Sequence, residues 1–119
     1  MGKRGLGIII VEDEALLVLE MESMVEELGH FVVGTASRIS EATELARSAT
    51  YDVALLDMNV GGNRIDPVAQ IVAELGRPMV FVTGYGQRTL PLGIAAPVID
   101  KPCTLSKLRP LLTARGKCS

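Results

Sequence analysis

Three carboxylates, one hydroxyl and one amine stand at the ends of short apolar runs of the sequence. Glu12 and Asp13 follow the first run, Asp57 follows the third, Thr83 closes the fourth and Lys101 lies just after the fifth. Carboxylates that are held close together repel one another, and a hard divalent cation relieves that repulsion. A site with few protein ligands suits Mg²⁺ in particular. The hydroxyl and the ammonium group would then face phosphoryl oxygens, which is the chemistry of phosphoryl transfer.

The segments that would carry these residues alternate between strand and helix. Apolar runs at residues 7–11, 31–34, 53–56, 79–82 and 97–99 predict strands buried on both faces. Helical patterns follow at about 14–28, 40–48, 67–75 and 105–114, with Ser40 as the N-cap of the second, and residues 61–63 are expected to form a loop. A further helix is expected between the fourth and fifth strands. Because residues 87–96 contain Pro91 and Gly93, this fourth helix of the domain is expected to be short or irregular.

Five strand–helix units in this order predict an α/β domain, doubly wound around a parallel sheet. Ligands of such open sheets bind beyond the carboxyl ends of the strands, near the point where the strand order reverses. We therefore expect all five polar residues at one edge of the sheet. Asp57 is the best candidate for a nucleophile, because the third strand of such a sheet lies between the first and the fourth.

Length and composition restrict the classes of protein that remain. The 119 residues correspond to one domain, expected at 1–119 with a core from about 6 to 115. The formal net charge is -2, without a basic cluster, and the aromatic content is 3%, which argues against nucleic-acid binding. No apolar run reaches the roughly 18 residues of a membrane helix. Cys103 and Cys118 have no metal-ligand spacing and indicate free thiols in the cytoplasm.

Four motifs, in their order and spacing, resemble the signature positions of response-regulator receiver domains. They are Val-Glu12-Asp13-Glu, Leu-Leu-Asp57-Met-Asn, Val-Thr83-Gly and Asp-Lys101-Pro102. The resemblance covers about residues 6–115 and implies a bacterial two-component signalling protein with the flavodoxin-like (βα)5 fold and strand order 2-1-3-4-5. Phe81-Val-Thr-Gly-Tyr85 is similar to a Phe-x-Thr-Gly-Tyr subgroup, whose members are often stand-alone domains.

The resemblance implies a phosphoacceptor with a metal site. Asp57 would take a phosphoryl group from a phosphohistidine on a sensor histidine kinase or a histidine phosphotransfer protein. Glu12, Asp13, Asp57 and the backbone carbonyl of Asn59 would hold Mg²⁺, Glu12 partly through water. The protein would promote its own phosphorylation and dephosphorylation, and it would not be an enzyme in the ordinary sense.

The same resemblance implies how phosphoryl oxygens would be held and where a switch would lie. Thr83 and Lys101 would contact the phosphoryl oxygens, and Pro102 would follow a cis peptide bond that helps to aim Lys101. The family commonly has an aromatic residue three positions before the lysine, where this chain has Val98. Our hypothesis is that Tyr85, together with Thr83, performs the switching task instead.

Other functions stay open at this point. A receiver that works as a phosphorylation-independent scaffold is one alternative, and a Mg²⁺-dependent phosphohydrolase is another. Asn59 argues against the hydrolase, because such enzymes generally carry a second Asp at that position. The output could be a downstream protein partner, relay of the phosphoryl group or drainage of phosphate from a kinase. We expect no nucleic-acid or membrane partner, and a monomer or weak homodimer.

Overall fold

Seven strands are present in the computed structural model of the chain, which describes residues 5–84 and 89–112. They are β1 (Gly7–Val11), β2 (Phe31–Ala36), β3 (Val53–Asp57), β4 (Asn59–Val60), β5 (Asn63–Arg64), β6 (Met79–Thr83) and β7 (Val98–Asp100). Five of them form a parallel sheet in the order β2-β1-β3-β6-β7. With the two short strands β4 and β5 set aside, this is the order 2-1-3-4-5, so the predicted fold is confirmed.

The helices cover both faces of the sheet. They are α1 (Ala15–Glu27), α2 (Ile39–Ser48), α3 (Asp66–Glu74) and α4 (Leu105–Leu108), and a 3₁₀ turn at Arg109–Leu111 continues α4. Side chains alternate between the faces along β1. Ile9 and Val11 pack into the core on the side of α2 and α3, whereas Ile8 and Ile10 pack into the core on the side of α1 and α4. No helix in the described parts of the chain is both long and apolar enough to cross a membrane.

The three central strands are buried along their whole length, as their uniformly apolar sequences predict. Every residue of β1, β3 and β6 is buried, whereas β2, at the edge of the sheet, is partly exposed. A strand that is covered on both faces needs apolar side chains at successive positions. This burial holds the ends of β1, β3 and β6 in fixed positions, and those ends carry the polar residues of interest.

The start of α2 differs from the prediction that Ser40 is its N-cap. The helix begins at Ile39 with Arg38 as the capping residue, and Ser40 lies inside the first turn. Glu41 reaches back instead, and its Oε1 accepts hydrogen bonds from the backbone N–H and the hydroxyl of Ser37 at 3.2 and 3.3 Å. A carboxylate in the first turn of a helix can satisfy N–H groups in this way, so Ser40 is not needed as a cap.

The fourth helix is absent from the described part of its segment, residues 89–97. Pro91 accepts a turn hydrogen bond from Ile94 N–H at 3.1 Å, and Gly93 has a φ of 78°. A positive φ is incompatible with a right-handed helix. The fourth helix, which was expected to be short or irregular, is therefore not formed in residues 89–97. The last helix is also shorter than predicted, because Pro110 lacks the N–H that would continue α4. Residues 113–114, where that helix was expected to end, lie outside the described residues.

A small antiparallel hairpin replaces the loop that the sequence predicts after β3. Strand β4 pairs with β5 through Asn59–Arg64 and Val60–Asn63. Gly61 and Gly62 form its turn, with φ values of 60° and 83°. Two successive positive φ angles are typical of the tight turn that matches the twist of a hairpin, and glycine adopts them at little cost.

Thr104 is expected to stabilise the start of α4, which follows directly after the loop at residues 101–103. Its side-chain oxygen accepts a hydrogen bond from Lys107 N–H at 3.4 Å. Because the N-cap bond satisfies an otherwise unpaired helix N–H, Thr104→Ala should lower the free energy of unfolding by about 0.5–1 kcal/mol. Urea unfolding measures this loss. Thr104→Ser keeps the hydroxyl and should be nearly neutral, and equal losses in both variants would contradict the capping role.

Candidate functional site

The polar residues singled out from the sequence meet at the carboxyl edge of the sheet. Glu12 and Asp13 follow β1, whereas Asp57 and Thr83 are the last residues of β3 and β6. Lys101 comes directly after β7, whose last residue pairs with Thr83. Since β1, β3, β6 and β7 are neighbours in that order, the strand ends form one continuous row. All five residues therefore lie at one edge of the sheet, as expected from the sequence.

Three carboxylates converge at the middle of this row. One oxygen each from Glu12, Asp13 and Asp57 lies within 4.8 Å of the others. Glu12 is fully buried and Asp57 is 5% exposed, whereas Asp13 is exposed. Like charges at such separations favour a bound cation or protonation of one member. The arrangement therefore has the donor chemistry of a hard divalent metal site.

Lys101 partly neutralises these carboxylates. Its Nζ lies 3.2 Å from Asp57 Oδ2 and 3.4 Å from Glu12 Oε1. The backbone N–H of Lys101 donates to the carbonyl of Thr83 at 2.8 Å, which fixes the start of the side chain beside β6. The peptide bond between Lys101 and Pro102 is cis. Desolvation lowers the pKa of Lys101, but the charges of Asp57 and Glu12 outweigh it and leave the pKa raised, so the amine is an ammonium ion.

Glu12 has an incompletely satisfied carboxylate. Its Oε2 accepts a hydrogen bond from Glu14 N–H at 3.0 Å. Its Oε1 is buried and accepts no hydrogen bond from any described residue, with the Lys101 ammonium as its nearby charge. Burial, opposed by the Glu14 N–H and reinforced by the charge of Asp57, raises the pKa of Glu12 to about 7. An orphaned buried carboxylate oxygen is the kind of atom that a metal or its water ligand satisfies.

Asp13 is held from the opposite side by the hairpin. Its Oδ2 accepts a hydrogen bond from Gly61 N–H at 2.9 Å. Partial desolvation would raise the pKa of Asp13, but the hydrogen bond from Gly61 N–H and the interactions with Glu12 and Lys101 more than compensate, and the pKa is lowered. Asp57 is held similarly, since its Oδ1 accepts from Asn59 N–H at 3.3 Å. The hairpin thus fixes two of the three carboxylates.

Thr83 is buried at the end of β6, with 1% of its surface exposed. Its hydroxyl donates to the carbonyl of the next residue, Gly84, at 3.1 Å. This bond is local and can be exchanged for a stronger acceptor without disturbing the sheet. The hydroxyl therefore remains available as a donor at the carboxyl edge.

A cleft of about 850 Å³ opens at the carboxylates. Its polar lining includes Asp13, Asp57, Asn59 and Lys101, and its apolar lining includes Leu17, Met21, Met24 and Cys103. Burial raises the pKa of the Cys103 thiol, so this cysteine is protonated and is a poor nucleophile at neutral pH. Among the nucleophilic groups lining the cleft, the carboxylates are therefore the reactive ones.

The hairpin is the part of the site that the sequence interpretation missed. The sequence analysis places the Gly61-Gly62 pair in a loop, although two glycines between short polar stretches are a signal for a tight hairpin turn. The contacts of Gly61 with Asp13 and of Asn59 with Asp57 have no sequence signature, because backbone N–H groups donate them. Tyr85, the predicted switch residue, lies outside the described residues.

Comparison with known proteins identifies the family. Residues 8–113 match the response regulator receiver domain family. This chain belongs to that family. It is a receiver domain of two-component signalling, and the acidic cluster of Glu12, Asp13 and Asp57 agrees with the metal-binding character that receivers typically have.

Relatives of this receiver include regulators from several bacteria. It is 35% identical over 86 residues to the phyllosphere-induced regulator PhyR of Methylorubrum extorquens. The aligned region covers 70% of this chain and 32% of that protein. It is 32% identical over 111 residues to the transcriptional regulatory protein PdtaR of Mycobacterium tuberculosis, with 88% and 54% covered. The receiver thus spans between a third and about half of the length of these two relatives.

Among solved structures, the receiver is similar to SdrG from Sphingomonas melonis Fr1. The TM-score is 0.77 at 33% sequence identity, and the match covers 91% of this chain and 92% of that one. A likeness over nearly the full length of both chains supports the sheet order described above.

Proposed function

We propose that this receiver is a cytoplasmic phosphoacceptor in which Asp57 takes a phosphoryl group from a phosphohistidine. The donor is a sensor histidine kinase or a histidine phosphotransfer protein. The observation that carries this proposal is the position of Asp57: its carboxylate lines the cleft, and Oδ2 lies 3.2 Å from the Lys101 ammonium. A carboxylate nucleophile beside a fixed positive charge suits the transfer of a phosphoryl group, whose oxygens carry negative charge.

The transfer is a displacement at phosphorus. An Asp57 carboxylate oxygen forms a bond to phosphorus while the bond from phosphorus to the imidazole nitrogen breaks, and that nitrogen keeps the bonding electron pair. The product is an aspartyl phosphate. Lys101 Nζ and Thr83 Oγ1 donate to the phosphoryl oxygens and stabilise their charge during the transfer. Hydrolysis reverses the modification, since water attacks phosphorus, and the carboxylate and inorganic phosphate are released.

Mg²⁺ is the cation that we propose for the site. The carboxylates of Glu12, Asp13 and Asp57 would hold it, together with the backbone carbonyl of Asn59. The orphaned Oε1 of Glu12 supports this fit, because it is a buried oxygen ligand that accepts no hydrogen bond from a described residue. The lowered pKa of Asp13 also supports it, because it keeps that carboxylate ionised. When bound, the cation neutralises the carboxylates and the transferring oxygens.

We further propose that residues 1–119 form one receiver unit that acts on other proteins through the phosphorylation of Asp57. Phosphorylation would change the binding of a downstream protein, or the phosphoryl group would pass onward or be drained from a shared kinase. In each case the aspartyl phosphate is the signal. A phosphorylation-independent scaffold differs from these modes, because its partner binding would not change when Asp57 is phosphorylated.

The intact mass of the protein after incubation with acetyl phosphate and Mg²⁺ tests this proposal. We expect a gain of one phosphoryl group in the wild type, no gain with EDTA and no gain in Asp57→Asn. Asp52→Asn is the matched control: it lies just before β3, where its carboxylate accepts a hydrogen bond from Gly7 N–H, and the amide can still accept that bond. Asp52→Asn should be phosphorylated normally.

A wild type without any mass gain would next be given a phosphohistidine donor, because the active site could reject a small donor. A second failure would overturn the phosphoacceptor proposal and favour the scaffold.

A further inference from the structure

The hairpin β4–β5 contacts the carboxylate site along one side. Asn59 N–H donates to Asp57 Oδ1 at 3.3 Å, and Gly61 N–H donates to Asp13 Oδ2 at 2.9 Å. The hairpin is therefore hydrogen-bonded to two carboxylates of the site. A cation or phosphoryl group on those carboxylates would change the acceptor strength and position of both oxygens, and this change would reach the hairpin first.

Buried apolar side chains make the hairpin a firm element. Met58 precedes the hairpin, Val60 lies in β4 and Ile65 follows β5. Each of these three side chains is 0% exposed. Ile65 N–H also donates to the carbonyl of Met58 at 2.9 Å, which closes the base of the hairpin. Close-packed side chains transmit strain, so these three apolar positions couple the two strands of the hairpin to each other. A displacement at its site side is therefore carried to its other side.

Arg64 extends from that other side to the segment between β6 and β7. Its Nη2 donates to the carbonyl of Thr89 at 3.0 Å. Its Nε pairs with Asp66 Oδ1 at 2.8 Å, and this second contact orients the planar guanidinium group. Arg64 and Asn59 are directly opposite in the hairpin. The residue beside the phosphoacceptor and the residue that binds the segment are thus paired across two short strands.

Residues 89–97, which we call the crossover segment, have apolar contacts but no regular structure. Leu90, Ile94 and Ala96 pack against the core on the side of α3, whereas Leu92 is 93% exposed. A second side-chain bond, from Gln70 Nε2 to the Leu92 carbonyl, is weak at 3.5 Å. A segment without a helical hydrogen-bond ladder has low local stability, so one added or lost bond changes its conformation.

We propose that Arg64 is a positioning residue that couples occupancy of the carboxylate site to the conformation of the crossover segment. The hairpin β4–β5 forms the link between them. This inference rests on the proposed function, because it assigns to the phosphoryl site a route by which its state reaches the surface. The surface that changes is the one around Leu92, an exposed side chain that a protein partner can contact.

Hydrogen exchange measured by mass spectrometry tests the coupling. The wild-type receiver is compared without ligand and with Mg²⁺ and beryllofluoride, a phosphoryl analogue. We expect peptides covering residues 89–97 to exchange about fivefold more slowly with the ligands, the low end of typical coupling. In Arg64→Ala the ratio should fall below about twofold. A purely structural role of Arg64 would speed exchange in both states and leave the ratio unchanged.

Two further variants and one internal reference complete the experiment. Arg64→Lys retains a donor that can reach the Thr89 carbonyl and should recover part of the ratio. Arg38→Ala removes a comparable exposed ion pair, to Glu41 at 3.2 Å, and should retain all of it. Peptides covering residues 53–60 report whether the site is occupied. Occupancy with an unchanged ratio in Arg64→Ala would overturn this inference alone, whereas no occupancy in the wild type would overturn it together with the proposed Mg²⁺ and phosphoryl site.

Discussion

Lys101→Met should slow phosphorylation by acetyl phosphate about 100-fold or more and, at the same time, tighten the binding of Mg²⁺. The ammonium group lies 3.2 Å from Asp57 and 3.4 Å from Glu12, so it occupies the place where phosphoryl oxygens need a positive charge. The same charge repels a cation from the carboxylates. Its removal should raise Mg²⁺ affinity about tenfold, even when solvent screening of a partly exposed side chain is allowed for.

A time course of intact mass gives the rate of phosphorylation, and isothermal titration gives the Mg²⁺ affinity. Arg47→Met is the matched control, because it removes one positive charge from the exposed last turn of α2 and leaves the site untouched. It should change neither quantity appreciably. If Lys101→Met weakened Mg²⁺ binding as well, Lys101 would be acting mainly as a support for the fold of the site.

The metal-free protein should become less stable as the pH rises from 4.5 to about 7, and Glu12 should be the main cause. The pKa of Glu12 is about 7 in the folded protein, against 4.5 for the ordinary carboxyl, with burial as the largest cause. Between these values the folded state binds more protons than the unfolded state, so the free energy of unfolding falls with rising pH. The contribution is fully present below pH 4.5 and amounts to up to about 3 kcal/mol.

Urea unfolding in EDTA at pH 5 and pH 8 measures this effect. Glu12→Gln keeps the size of the side chain and removes its titration, so the difference between the two proteins isolates Glu12. We expect that difference to change by up to about 3 kcal/mol between the two pH values. Saturating Mg²⁺ should flatten the wild-type profile, because a bound cation favours the ionised carboxylate. Parallel profiles of wild type and Glu12→Gln without metal would show that Glu12 ionises normally.

The central sheet could be predicted because β1, β3 and β6 are buried on both faces and therefore need apolar residues at successive positions. Their ends are marked by an abrupt change to Glu12, Asp57 and Thr83, which defined the edge of the sheet and the candidate site together. The motif order added what physical patterns alone do not give, namely the strand order. The irregular crossover segment followed from Pro91 and Gly93.

Other features could not be predicted, because they depend on contacts that side-chain patterns do not encode. The strands of the hairpin have two residues each, too short for any periodicity. The start of α2 has Arg38 at the cap position, and Glu41 reaches backward to bond Ser37, a contact that the pattern around Ser40 does not indicate. The distances that join Lys101 to Glu12 and Asp57 depend on where the Lys101 backbone lies, and that backbone is held by a hydrogen bond from its N–H to the Thr83 carbonyl. The roles of these side chains in phosphoryl transfer remain predictions.

The parallel arrangement of the sheet divides the surface of the molecule into two ends. The cleft lies at the carboxyl ends of the strands, and the turn between α3 and β6 lies at the amino ends, about 16 Å away along a five-residue strand. At Gly76 in that turn, the space where a side chain would begin has no atom within 4 Å. A fluorescent protein inserted at this turn, or a tether to a glass surface, would leave the approach of a phosphoryl donor open. Single molecules held in this way could be watched through repeated cycles of phosphorylation.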